Sequence, residues 1–353
     1  MKHRIWWLGS LGLVLLIGIL VVLRPKSTDD SKGQDQNSGN NSAGTGSVAR
    51  TPKLAHPPTT TSLVTRVAEN AKLPELSDEM VTRILGNRTN PESLLAVSRL
   101  TGDLELLREA AKSFPDHAMI QLELALRGKT PEEKQQALES FRRLEPGNAM
   151  GDYLSALSHF EQGQAEDALA DLKAVEAHPG FGDRNSGQIQ SAEDVFVAAG
   201  YGRLEAKSAA LLGQPKTQTM TLNELSRKLF ELYQEDTRAE DAEAAQAVLQ
   251  MGLALSRRLR AEARLIVDDK VGISMETRFL KQLPVDAPVP GSTLTAAIRL
   301  NELTTENQEI SELAKQSSTF LNAMKENEVL AYLERLNQDG ELKALRWLEQ
   351  NHK

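Results

Sequence analysis

Six histidines are the side chains best suited by type to ligate a metal or move a proton: His3, His56, His117, His159, His178 and His352. No two of them stand at the i, i+4 spacing that puts a pair of imidazoles on one helical face. No His-Glu-x-x-His stretch occurs, and the chain has no cysteine to complete a ligand set. The sequence therefore predicts no metal site, no cofactor and no catalytic residue. His159, beside Phe160 in a helical stretch, reads as a packed or surface histidine, because a catalytic base needs a partner that the sequence does not place. Gly180, Gly182 and Gly187 could cradle a phosphate. No strand pattern precedes them and no Lys-Ser/Thr pair follows, so they read as an ordinary loop between helices. The carboxylates are spread over exposed faces, where nothing marks a raised-pKa acid beside an ionised base.

Helices must position all of these groups. Apolar residues recur at intervals of three and four, and β-branched runs bounded by turns are nearly absent. Aromatic residues are 4% of the chain, which leaves Leu and Ala to fill the interior. The expected fold class is all-α, a solenoid of antiparallel helical hairpins followed by a C-terminal helical unit. The strongest internal signal is a repeat with an offset of 31 residues: Pro115, Ala118, Met119, Ala125, Leu126, Ala137 and Leu138 recur as Pro146, Ala149, Met150, Ala156, Leu157, Ala168 and Leu169. One offset back, Leu95 aligns with Leu126, Leu107 with Leu138, and Ala110 with Phe141 and Leu172. Three copies are predicted, near 84–114, 115–145 and 146–176, within a repeat domain spanning 61–283.

Each copy holds two helices. In the third, Met150, Tyr153, Leu157 and Phe160 form one stripe, Gly163-Gln164 interrupts it, and Ala165, Ala168, Leu169, Leu172 and Val175 form the next. Proline and glycine in His178-Pro179-Gly180 close that second helix. Neither helix covers its apolar face alone, so neighbouring hairpins must stack. Further helices are predicted over 187–199, 202–212, 219–234 and 239–265. Pro284, Pro288, Pro290 and Gly291 then mark a hinge or domain boundary before a C-terminal unit at 291–353. There Ile310, Leu313, Ala314, Ser317, Phe320, Leu321 and Met324 form a stripe, continued by Leu330, Leu333 and Leu336 and by Leu342, Leu345 and Leu348. A terminal hairpin or three-helix unit is the economical reading, with a coiled-coil dimer arm as the alternative.

The stretch from Ala156 to Leu169 resembles the tetratricopeptide repeat. It has a small residue at Ala156, an aromatic at Phe160, a turn glycine at Gly163 and alanines at Ala165 and Ala168. It departs from that pattern in its period, 31 rather than 34, in the large residue that should open the first helix, and in the lack of a Gly163 counterpart in the earlier copies. The resemblance covers about 84–180 and implies stacked hairpins with a concave face that binds protein segments. On that basis Tyr153, Leu157 and Phe160 are the expected partner-binding residues. Glu139-Ser140 invites comparison with lytic transglycosylases, whose catalytic acid lies in a Glu-Ser motif. Here the pair sits mid-helix without the Gly-Leu-Met-Gln partner motif downstream, and coincidence explains it better.

Residues Ile5 to Leu23 carry no charge and are bounded by Lys2 and Arg4 on one side and Arg24 and Lys26 on the other. At ~1.5 Å per residue such a helix spans a ~30 Å hydrocarbon layer. It ends in Val21-Val22-Leu23-Arg24-Pro25 with no small-x-small cleavage site, so it reads as an uncleaved signal anchor in contact with the lipid bilayer rather than a signal peptide. Flanking charge hardly favours either orientation. Because long domains after a first helix are commonly exported, the expected location is a bacterial inner membrane, with the amino terminus cytoplasmic and the body outside. Residues 24–60 are rich in Ser, Gly, Asn, Asp and Thr and read as a flexible tether with a reach of roughly 30–37 Å, or as a tolerated spacer.

The first 60 residues hold seven Lys/Arg and three Asp of the chain's 41 basic and 49 acidic residues, so the body carries a net charge of −12. An acidic body is a poor match for nucleic acid and leaves a protein partner open. The leading expectation is a membrane-anchored, non-enzymatic scaffold or adaptor. Its plan resembles bacterial single-pass proteins in which such repeats assist translocation or assembly of other envelope proteins. The alternatives are a cell-envelope enzyme acting on cell-wall glycan and a structural spacer that self-associates into a homo-oligomer.

Overall fold

The computed structural model describes residues 74–87, 90–178, 180–181 and 185–351. Residues Lys72–Lys353 make one compact unit. The expected anchor at 5–23 and tether at 24–60 lie outside the described residues. Among the described residues no helix is long and apolar enough to cross a membrane. The described chain is helical throughout and contains no strand, only two isolated β-bridges.

Seven helices fill the region read as repeats: α1 (Asp78–Asn87), α2 (Pro91–Thr101), α3 (Leu104–Ser113), α4 (Ala118–Arg127), α5 (Pro131–Leu144), α6 (Ala149–Glu161) and α7 (Ala165–Ala174). Their starts are written in short polar caps that accept backbone N–H groups left without partners in a helix's first turn. Asn90 caps α2, Asp103 caps α3, His117 caps α4, Thr130 caps α5 and Asn148 caps α6. Pro91 and Pro131 follow their caps at the first helical position, where no N–H is needed. The 31-residue offset is visible in space: Ala118 and Ala149 open α4 and α6, and the equivalent Ala110, Phe141 and Leu172 are all buried. Helices α2 and α3, α4 and α5, and α6 and α7 pack as successive hairpins.

Gly163 explains why the third hairpin is shaped differently from the second. Its φ of +76° lets the chain reverse after α6, which runs to Glu161, whereas α4 already stops at Arg127. A Cβ at Gly163 would meet nothing within 4 Å, so Gly163→Ala carries backbone strain alone and is expected to cost about 1 kcal/mol. Gly86, inside α1 and without a positive φ, gives the contrast, because alanine there also meets nothing and is expected to stabilise by up to about 1 kcal/mol. Urea unfolding midpoints of the two variants should move in opposite directions.

The second half closes over the first. Helices α8 (Asn185–Ala199) and α9 (Arg203–Leu212) form a hairpin, with α8 packed on α2 and α1. Helix α10 (Thr217–Arg238) packs on α6 and α4, and continues through α11 (Ala242–Ala261) into α12 (Ile266–Leu280) as mutually packed neighbours. The first helix of every hairpin, α2, α4 and α6, is thereby covered by α8 or α10. The predicted helix over 239–265 is shorter in fact: Asp241 caps α11, and Glu262–Leu265 turn the chain into α12.

Helix α13 (Ala296–Ala323) packs on α12 and α15 (Glu341–Asn351), while α14 (Glu326–Asp339) packs on α15, α9 and α8. Helices α13–α15 lie in the region read as a C-terminal unit and belong to the same compact unit as the hairpins. The Pro-rich segment before α13 is tied down. Val289 is buried, Val289 N–H donates to Leu294 O (2.9 Å), Ala296 N–H to Ala287 O (2.9 Å), and Arg257 Nη1 to Pro290 O (2.7 Å).

Candidate functional site

Two turns from distant parts of the sequence meet on either side of a third, the α11–α12 connection, Glu262–Leu265. On one side, Gly180 and Phe181 are held to α6 and α11. Ala149 N–H donates to Gly180 O (3.2 Å), Asn148 Nδ2 donates to Phe181 O (2.9 Å), and Phe181 N–H donates to the two Glu262 carboxylate oxygens (3.1 and 3.0 Å). A Cβ on Gly180 would meet that carboxylate, so a larger residue there would make Glu262 shift relative to the Phe181 amide. Arg258 fixes the preceding turn by donating to Val175 O (3.3 Å) and His178 O (2.8 Å). Burial pushes the Glu262 carboxyl above the ordinary carboxylate range, against the opposing pull of the Phe181 amide and Arg258.

On the other side the same connection holds the α14–α15 turn. Arg264 Nη1 donates to Asn337 O (2.9 Å) and Gln338 O (3.2 Å), Glu341 N–H donates to Arg264 O (2.7 Å), and Ile266 N–H donates to Glu341 Oε2 (2.8 Å). Gly340 makes the tight approach possible, with φ +87° and a Cβ position only 3.2 Å from Arg264 O. Burial raises the Glu341 pKa, opposed by the Ile266 N–H and by Lys216.

Between these turns opens a cleft of ≈ 1000 Å³. Met119, Leu122, Met150, Phe181 and Ile266 supply apolar wall, Glu145, Glu262, Asp269 and Glu341 supply carboxylates, and Arg260, Arg264 and Lys343 supply cations. The volume sits at the upper end of the ~300–1,000 Å³ found for ligand pockets. Its walls combine apolar contact area with orienting polar groups, which suits a segment of polypeptide or a ligand of similar bulk.

Of the expected partner-binding residues, Tyr153 and Leu157 are buried, with 3% and 9% of their surface exposed, and Phe160 is half-buried. Tyr153 packs its ring edge-on to Phe181, 5.7 Å between centroids, and lies against Arg258. Burial pushes its hydroxyl up to about 12. Tyr153 thus supports the Phe181 wall of the cleft from behind. His159 and His178 are held by carboxylates within the frame. His159 Nδ1 lies 2.9 Å from Asp171, His178 Nδ1 lies 2.7 Å from Asp152, and Arg142 links the two carboxylates at 2.9 Å (Asp152) and 3.4 Å (Asp171) while donating to Ser155 Oγ (3.0 Å). Glu139 is exposed on α5, where it accepts from Gln135 (2.9 Å). Among the described residues no group of three His, Cys, Asp or Glu could hold a metal ion.

Comparison with protein-family models, with curated proteins and with solved structures returned no match. Function must be argued from the cleft and its surroundings.

Proposed function

We propose that the chain is a membrane-anchored, tetratricopeptide-like scaffold or adaptor, with residues 5–23 in the lipid bilayer and the body outside the cytoplasm, and that it holds a segment of another protein in the cleft beside the α11–α12 turn. The observation that carries this reading is the cleft itself: ≈ 1000 Å³ of mixed apolar and charged wall, fixed by backbone hydrogen bonds from three separate turns. A wall tied down in this way loses little entropy when it binds, so contact area converts more fully into affinity. The tiers α2–α7 act as the frame, and Tyr153 and Leu157 act within it rather than as contact residues.

Site-specific photocrosslinking in membranes tests the proposal. A crosslinker in place of Met119 or Lys343, both lining the cleft, should capture one discrete protein band. A crosslinker in place of Met220, which is 69% exposed and outside the cleft, should not. Ala263→Trp, which fills the cleft, is expected to lower the yield about tenfold or more. Exchange of 5–23 for another spanning helix should leave it unchanged. Equal labelling from Met220, or a yield indifferent to Ala263→Trp, would overturn the assignment.

A further inference from the structure

Beside the cleft lies a smaller cavity of ≈ 80 Å³, which shares Gln218, Arg264 and Leu265 with it. Three of its lining side chains are cationic, Arg99, Lys216 and Arg264, against one carboxylate, Asp268. Lys216 is the unusual member. It is half-buried, and among the described residues its Nζ makes neither a hydrogen bond nor an ion pair within 4 Å. The two carboxylates that act on it, Asp268 and Glu341, each hold a further partner. Asp268 accepts from the Thr219 hydroxyl (2.6 Å), and Glu341, buried, accepts from the Ile266 amide. Burial lowers the Lys216 pKa, and Asp268 and Glu341 only partly oppose that.

Arg99 is the buried, under-compensated member. Its side chain is 10% exposed, Nε lacks a hydrogen-bond partner, and Nη1 donates to neutral Gln188. Glu123, 3.5 Å away, is divided between Arg99 and Arg127, the latter at 3.6 Å. The first turn of α10, which starts next to Lys216, has no side-chain cap and adds its partial positive charge. A buried guanidinium that shares its carboxylate with a second arginine and lacks a hydrogen bond at Nε is costly to hold, and an anion entering beside Arg99 and Lys216 would reduce that cost. Several water-sized volumes of ~30 Å³ fit the space, which is also the scale of one carboxylate group.

We infer that this cavity receives a carboxylate between Lys216 and Arg99, and that in the protein's working complex it is the C-terminal carboxylate of the partner segment lying in the cleft. The inference rests on the reading of the cleft as a protein-binding site. The apolar walls of the cleft would take the preceding side chains, and the small cavity would set the direction in which the segment lies.

The test uses the full-length protein in detergent and a short N-acetylated Ala-Leu peptide prepared with either a free carboxylate or a carboxamide end, with propionate as a third probe. Half-saturation of the thermal shift should come at about tenfold or more lower concentration for the acid than for the amide, the scale of one charge-assisted hydrogen bond. Lys216→Met should abolish that preference. Equal half-saturation by acid and amide, no shift from either, or a preference that survives Lys216→Met would overturn the inference. If propionate matches the acid peptide, the ligand is a free small carboxylate and the partner-terminus assignment fails. Peptides that bind without end preference leave the cleft reading intact, whereas loss of the Met119 and Lys343 crosslinks sinks both.

Discussion

Glu276→Ala is expected to cost about 3–5 kcal/mol of folding stability, the range for breaking a buried charge network by deleting one partner. Glu276 lies on α12 with no exposed side-chain surface. It accepts from Arg299 Nε (3.0 Å) and Nη2 (3.1 Å) on α13 and from Arg260 Nη1 (3.2 Å) on α11, with Arg257 Nε at 3.6 Å. One carboxylate thus ties together three helices. Without it Arg260 keeps Asp269 (2.9 Å) and Glu306, and Arg299 keeps Glu302 (3.0 Å) and Glu306 (3.3 Å), so the lower part of the range is the better expectation. Urea unfolding measures it, and a loss below about 1 kcal/mol would show that the remaining carboxylates suffice. Burial alone would raise the Glu276 pKa, but Arg299 and Arg260 overcome burial and hold it below the ordinary 4.5. A depressed carboxylate adds stability that is fully present above its unfolded pKa and is lost as pH falls through the folded one. Stability of the natural chain should therefore fall below pH about 4.5 more steeply than that of Glu276→Gln. Because Arg260 also lines the cleft, the alanine variant should weaken crosslinking from Lys343 as well.

The hairpins were legible because a helix's cap and stripe lie in one short stretch of chain. Asn148, Ala149 and Tyr153 declare a helix start without reference to anything distant, and the offset from Ala118 to Ala149 repeats the declaration. What a stripe cannot say is what buries it. Met150, Tyr153 and Leu157 read equally well as a surface awaiting a partner and as an interior face. The covering elements, α10 and the Arg258 end of α11, begin more than sixty residues later and carry their own unremarkable stripes. A concave face was expected to stay open, and the chain's own second half occupies it.

The cleft was illegible for a related reason. Each of its parts is ordinary in sequence: Gly180 looks like a loop glycine, Glu262 and Arg264 look like the charged end of a helix, and Gly340-Glu341 looks like a turn. Their meaning comes from pairing at long range. Phe181 N–H meets a carboxylate 81 residues on, and Ile266 N–H meets one 75 residues on. The same holds for Lys216, whose type and position suggest a solvated cap until Asp268 of α12 and Glu341 of α15 act on it.

Phe279→Ala is expected to cost about 3–5 kcal/mol, and its coupling to Gly252 makes the prediction sharp. Phe279, on α12, is fully buried and packs edge-on against Phe230 of α10, 5.7 Å between centroids at 77°. Its face lies on Gly252 of α11 so closely that a methyl group there would overlap the ring. Gly252→Ala would normally gain about 1 kcal/mol of helix propensity, yet here overpacking is expected to cost about 1–3 kcal/mol and decide the sign. In the double variant the alanine methyl enters the space vacated by the ring, so overlap disappears, the cavity shrinks and the propensity gain returns. The double variant should therefore be less destabilised than the sum of the single variants by about 1–3 kcal/mol, the scale of coupling between residues in contact. Denaturant unfolding of the four proteins supplies the cycle. Additivity within about 0.5 kcal/mol would mean that α11 and α12 relax apart to admit the methyl, and that the α11–α12 pair, which ends in the turn beside the cleft, is looser than its packing indicates.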